Sequence, residues 1–209
     1  MQHYSRLFNA PERCIHVGDR ESNIYQLFCQ AQDLNTHFLI RSSNNRRSGK
    51  RTKGTLIVEM ENAQVKGTHS IKVRNTKEKV IHVNHEIKFE ELEVFPPEGK
   101  EKRYRKQTLT VIKATEKGTP SNREKINWQI ITNLPVDSLA QAIEKLKWYA
   151  LRWNIENFHK ILKSGCRAED SRLRTADRLV NLISIVCILS WRIFWIPPFE
   201  FEFFSLSCQ

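Results

Sequence analysis

Apolar positions change their period three times along the chain, and each change predicts a different kind of element. The first cluster, in "CIHVGDRES", spans Ile15 to Val17 and stops at Gly18-Asp19. So short a run closed by a turn signal predicts a buried strand with Asp19 at its end, followed by a helix through "NIYQLFCQAQ". "HFLIR" at 37–41 predicts a second strand. From 55 to 132 the pattern becomes short alternating runs, "TLIVEM", "SIKVRN", "VIHVNHEIKFEELEVF", "QTLTVIKATE" and "KINWQIIT", which predict antiparallel strands joined by polar turns. Among the linkers, "FPPEGKEKRYRK" is an exposed connection by its proline pair and charge run. Helical period then takes over. Ser138 is placed to cap and Gln141 to complete a capping box, and a second helical stretch, "WYALRWNIENFHKILKSG", runs to Gly165. The last apolar run, 179–195, contains Asn181, Ser184, Ser190 and Arg192. It is expected to be a buried core helix, too short for a comfortable membrane span.

Composition narrows the partner. The 209 residues suffice for one domain with a sizeable core, and a net charge of +11 favours a polyanion, with nucleic acid first and an anionic membrane surface second. The stretch "RSSNNRRSGKRTK" at 41–53 holds six basic residues and no acidic one. It predicts a mobile basic loop, either a phosphate contact or a solvated charge run. Five widely spaced cysteines without a CxxC or CxxH pair indicate neither zinc nor a disulfide framework. "MQHYSRLFNAPERC" lacks the apolar segment of a signal peptide, so the expected location is the cytoplasm.

The helix opening at Trp148 carries the candidate chemistry. At 3.6 residues per turn, offsets of 3, 7 and 14 from Tyr149 fall within roughly 60° of one another, so Tyr149, Arg152, Glu156 and Lys163 share a face. Leu151, Ile155, Phe158 and Leu162 form a separate stripe expected to pack on the sheet. A carboxylate near another on a neighbouring strand can hold Mg²⁺, and basic groups one or two turns away can grip flanking phosphates. Phosphoryl transfer and a merely solvated face both satisfy this pattern.

The spacing Tyr149, Arg152, Glu156, Lys163 in "Y-ALR-WNIE-NFHKILK" resembles the tyrosine-arginine-glutamate-lysine signature of bacterial DDE transposases of the insertion-sequence-four type, the group that includes the transposon-five transposase. "VGDRESNIY" resembles the strand end bearing the family's second catalytic aspartate, here Asp19. "HFLIRS" resembles the strand placing an arginine near the DNA end, here Arg41, and "WQIITNLPVDSLAQA" the segment whose tryptophan, here Trp128, stacks on a flipped base. The resemblance runs from about 14 to about 195. It implies an α/β fold, a ribonuclease-H-like core with an inserted antiparallel β-rich region: 1–54 partial core, 55–132 insertion, 133–196 helical part of the core, 197–209 a tail outside it. It also implies Mg²⁺ or Mn²⁺ held by Asp19 and Glu156, double-stranded DNA as partner, dimeric action in intact relatives, and no membrane.

The family's first aspartate lies on an earlier strand, and no aspartate precedes Asp19 here. The expectation is therefore a chain truncated at the N-terminus, and at the C-terminus where "IPPFEFEFFSLSCQ" follows, with impaired catalysis. The alternative is a non-catalytic DNA-binding or interfering fragment. Taken without the resemblance, Asp19 is a turn residue or helix cap, Trp128 packs in a core beside Ile126 and Ile130, and Arg41 closes a strand.

Overall fold

A computed structural model describes residues 10–42, 44–49, 54–74, 80–120, 124–165, 173 and 175–195, with 72–74, 80, 81, 164 and 165 described by backbone only. The tail at 197–209, and Ser43 and residues 50–53 of the basic stretch, lie outside the described residues. The chain divides into two compact units, Met1–Tyr149 and Ala150–Phe203.

The first unit is mixed α/β. Its strands are β1 (Ile15–Gly18), β2 (His37–Arg41), β3 (Gly67–Arg74), β4 (Val80–Val94), β5 (Gln107–Glu116) and β6 (Asn127–Thr132). They form one sheet in the order β1-β2-β6-β5-β4-β3, in which β1 and β2 are parallel and every other pair is antiparallel. Parallel pairing needs a crossover, and α1 (Tyr25–Asp33) supplies it. Asn35, in the left-handed region at φ 51°, follows the helix, and the Thr36 N–H returns to the Ala31 carbonyl. An asparagine tolerates that conformation better than most residues.

Alternation along the strands sends apolar side chains to both faces of the sheet. On one face Phe38, Ile40, Leu92, Leu109, Val111 and Ile131 pack against Tyr25, Phe28 and Ala31 of α1 and against Leu56 and Met60. On the other, Leu39, Ile87, Ile112, Ala114, Trp128 and Ile130 pack against Ala142, Leu146 and Tyr149 of α3 (Leu139–Ala150). The positions 142, 146 and 149 make one helical stripe. The start of α3 is capped as expected: Gln141 N–H donates to Ser138 Oγ at 3.3 Å, while Gln141 Oε1 accepts the Asp137 N–H at 2.7 Å, one residue upstream of the usual box.

Four expectations are corrected. "TLIVEM" forms a helix, α2 (Leu56–Asn62), instead of a strand. Leu56 and Met60, one turn apart, are fully buried, whereas Ile57 and Val58 are exposed, so the run obeys helical period; a four-residue apolar run cannot by itself distinguish the two. Lys88 Nζ donates to the carbonyls of Met60 and Glu61 at the end of α2, satisfying acceptors that the helix leaves open.

The described part of the basic stretch is anchored. Leu56 N–H donates to the Arg46 carbonyl, Ser48 bridges Val94, and the Arg47 guanidinium reaches the Pro96 carbonyl at 2.8 Å and Glu101 at 2.7 Å.

In the second unit, α4 (Trp153–Lys160) leads into a π turn at Ile161–Gly165, and α5 spans Ala176–Trp195. The helix expected to run unbroken from Trp148 to Gly165 is interrupted. Arg152 keeps right-handed dihedrals, but the bonds there are i to i+3, from Asn154 N–H to the Leu151 carbonyl and from Ile155 N–H to that of Arg152. The hydrogen-bond register therefore tightens and then, at 161–165, widens, and an ideal 3.6-residue wheel does not span it.

α5 is not the buried helix expected. Val186 and Ser190 are buried, while Leu179, Val180, Ile183, Ile185, Ile188, Leu189, Trp191, Ile193 and Trp195 are exposed. At 20 residues it is long and apolar enough to cross a membrane by length and composition. Leu151 and Ile155 are likewise exposed, whereas Phe158 meets Trp191 edge-on at 6.4 Å. The stripe thus makes a partial contact with α5.

Candidate functional site

Asp19 opens the turn after β1. Its Oδ1 accepts the Glu21 N–H at 3.1 Å and its carbonyl accepts the Ser22 N–H at 3.2 Å, an Asx-type turn. Gly18 makes that turn possible: a Cβ there would lie 2.6 Å from Ser22 Cβ and 2.7 Å from its Oγ.

Strand register decides what meets Asp19. Gly18 pairs with Ile40 in parallel, so Asp19 and Arg41 are the next residues on adjacent strands running the same way. Arg41 pairs with Ile130 of the antiparallel β6, and Trp128, two residues earlier, shares the face of Ile130 and sits toward the same end. In the first unit the sheet therefore gathers Asp19, Arg41 and Trp128 at the carboxyl end of its two parallel strands, where open α/β sheets characteristically take ligands.

Trp128 is only 9% exposed, and Tyr149 stands edge-on to it with ring centroids 5.4 Å apart. Both belong to the core beneath α3. The packing reading of Trp128 is thus realised.

The other signature residues lie in the second unit. Arg152 Nη1 contacts Glu156 Oε1 at 2.6 Å, a pair that is part-exposed and so contributes a few tenths of a kcal/mol at most. The pairing occupies one Glu156 oxygen with a cation. Lys163 is exposed on the π turn.

Polar residues with no signal in the hydrophobic pattern also stand at the strand ends. Asn23, 4% exposed, donates from Nδ2 to Ser42 Oγ at 3.2 Å and accepts the Arg46 guanidinium on its amide oxygen at 3.0 and 3.1 Å and on its backbone carbonyl. The Arg46 guanidinium also lies over the rings of Phe28 and Tyr25, at 5.2 and 5.8 Å. Burial lowers its pKa from the ordinary arginine value, with the Tyr25 phenol opposing that shift. Only their partners, 19 and 23 positions away, reveal them.

Carboxylates are hard oxygen donors of the kind Mg²⁺ and Mn²⁺ take, so Asp19 and Glu156 suit a divalent ion in kind. Among the described residues no group of three or more histidine, cysteine, aspartate or glutamate side chains could hold a metal ion.

Asp19 follows β1 directly and Arg41 ends β2. Residues 6–192 match the family model described as "Transposase DDE domain", a span that takes in both units' candidate residues. The chain belongs to the DDE transposase family.

Proposed function

We propose that this transposase is of the insertion-sequence-four type and works as a ribonuclease-H-like nuclease and strand-transferase on double-stranded DNA ends in the bacterial cytosol. The observation that supports it most is the register that sets Asp19 and Arg41 side by side at the carboxyl ends of parallel strands, in a chain that also carries the tyrosine-arginine-glutamate-lysine spacing.

In this reading a bound divalent ion would supply Lewis-acid activation of a phosphodiester and of an attacking hydroxyl. Asp19 and Glu156 would be its ligands from this chain, and Glu156 would exchange its contact with Arg152 for that role. Arg41, Arg152, Lys163 and the Tyr149 hydroxyl would each be a phosphate contact. Trp128 would accept an unpaired base once its contact with Tyr149 opens, at a cost of a few kcal/mol for unstacking the base.

The lack, among the described residues, of any group of three or more histidine, cysteine, aspartate or glutamate side chains able to hold a metal ion favours a second reading, in which this chain alone binds DNA ends without cutting them. Incubating the purified chain with Mg²⁺ or Mn²⁺ and a labelled transposon-end duplex separates the two. The first reading expects nicking; a gel shift without nicking would leave only the second. Nicking that vanishes in Glu156→Gln would show a working site in this chain and remove the second reading; absence of any shift at low salt would remove both.

A further inference from the structure

We infer that buried Asn23 and half-buried Arg46 form a clamp that positions the Arg41 side of the DNA site against the Asp19 turn, so that Asn23 is a positioning residue for phosphate contact. The inference rests on the reading of Arg41 as a phosphate ligand. Asp19 lies on the turn after β1 and Arg41 is the last residue of β2, where the chain enters the 42–46 loop, and two functional groups set at such strand ends need a fixed separation. The sheet register alone sets it only up to Gly18 and Ile40, the last residues paired between β1 and β2.

Asn23 spans the remaining gap. It lies four residues beyond Asp19, at the end of the turn. Through Nδ2 it holds Ser42, the residue after Arg41, and through both of its oxygens it holds Arg46 on the far side of the same loop. The loop is also fixed at its base, where Ser42 N–H donates to the Gln129 carbonyl at 2.7 Å and Ser42 Oγ donates to the Asn44 carbonyl at 3.2 Å.

The chemistry of the pair argues for positioning. The Arg46 fork is met by an amide oxygen, a carbonyl and two aromatic faces. A guanidinium that accepts burial on these terms gives geometric constraint, since its planar fork fixes direction as well as distance. Asn23 is matched to it because a single side chain must donate to Ser42 and accept from Arg46 together, which aspartate, with no donor, and alanine, with neither, cannot do.

The test is a double-mutant cycle on binding of the purified chain to a short DNA duplex, read as dissociation constant and as the slope of log affinity against log salt. Arg41→Ala is expected to lower the slope by about 0.9, the loss of one phosphate contact. Asn23→Ala is expected to lower it similarly, and the double variant to bind no worse than Arg41→Ala. Lys163→Ala combined with Asn23→Ala should be additive, which a general loss of fold would not produce. Ser42→Ala removes one arm of the clamp with little volume change; it serves if Asn23→Ala does not fold, and should show the same non-additivity with Arg41→Ala. Full additivity of Asn23→Ala, or of Ser42→Ala, with Arg41→Ala overturns the clamp. An unchanged slope in Arg41→Ala overturns the phosphate reading of Arg41 and the inference with it, a failure distinct from the first because it appears in the single variant.

Discussion

Trp128→Ala separates a packed tryptophan from one displayed for DNA. Trp128 sits on the α3 face of the sheet, 9% exposed, with the Tyr149 ring edge-on at 5.4 Å. Truncating a buried aromatic to alanine costs about 3–5 kcal/mol, as transfer and cavity terms add, and the lost edge-to-face pair lies within that sum, at about 0.5–1.5 kcal/mol. For a chain of this size each kcal/mol moves the melting temperature by about 2–4 °C, so the expected drop is roughly 6–20 °C. Trp128→Phe keeps an aromatic edge against Tyr149 and should fall by clearly less. Circular dichroism at a helix-sensitive wavelength during heating reads the change without depending on tryptophan emission. A drop under about 2 °C for Trp128→Ala would mean that the indole contributes no core burial, and the packing argument would be wrong. If DNA affinity instead falls in Trp128→Phe while its melting temperature holds, the ring acts on DNA from within the core.

Three further outcomes follow from local geometry. Gly18→Ala forces a Cβ to 2.6 Å from Ser22 Cβ and should cost about 1–3 kcal/mol in chemical denaturation; the double variant Gly18→Ala/Ser22→Gly should recover much of it, and an unperturbed single variant would refute the close approach. His16 and His69 both have pKa values lowered from 6.5, in each case by burial first, with the Lys147 charge second for His69. Because the folded state binds these protons less readily than the unfolded one, their contribution is complete above about pH 6.5 and is lost as pH falls through the lowered folded values. Urea titrations should show stability declining there, less steeply in His16→Gln, and equal slopes would count against a half-buried His16 whose protonation folding disfavours. Lys163 is exposed on its π turn; Lys163→Ala should lower the salt slope of DNA binding by about one while weakening all sequences alike, and an unchanged slope would make it a bystander.

Period and turn chemistry determined much of this protein from sequence alone. The strands at 15–18 and 37–41, the helix between them and the cap at Ser138 were legible because each depends on neighbours within a few positions. Long alternating runs such as 80–94 were legible for the same reason. The family was also legible, because four residue types at fixed spacing survive as a linear pattern. "TLIVEM" was not, since four consecutive apolar residues satisfy either period, and burial of Leu56 and Met60 beneath the sheet decided for helix. Nor was the helical break at 151–152, where hydrogen-bond register shifts without a proline or glycine to announce it. Exposure of α5 escaped too, because an apolar run records what a helix could bury and carries no record of what lies against it. At the candidate site, sequence supplied the residue types, while strand register set Asp19 next to Arg41 and brought Trp128 to the same end. Asn23 and Arg46 belong wholly to the tertiary structure. A polar side chain becomes a clamp only when folding removes its water and leaves it one partner at the right distance, and no local pattern encodes that.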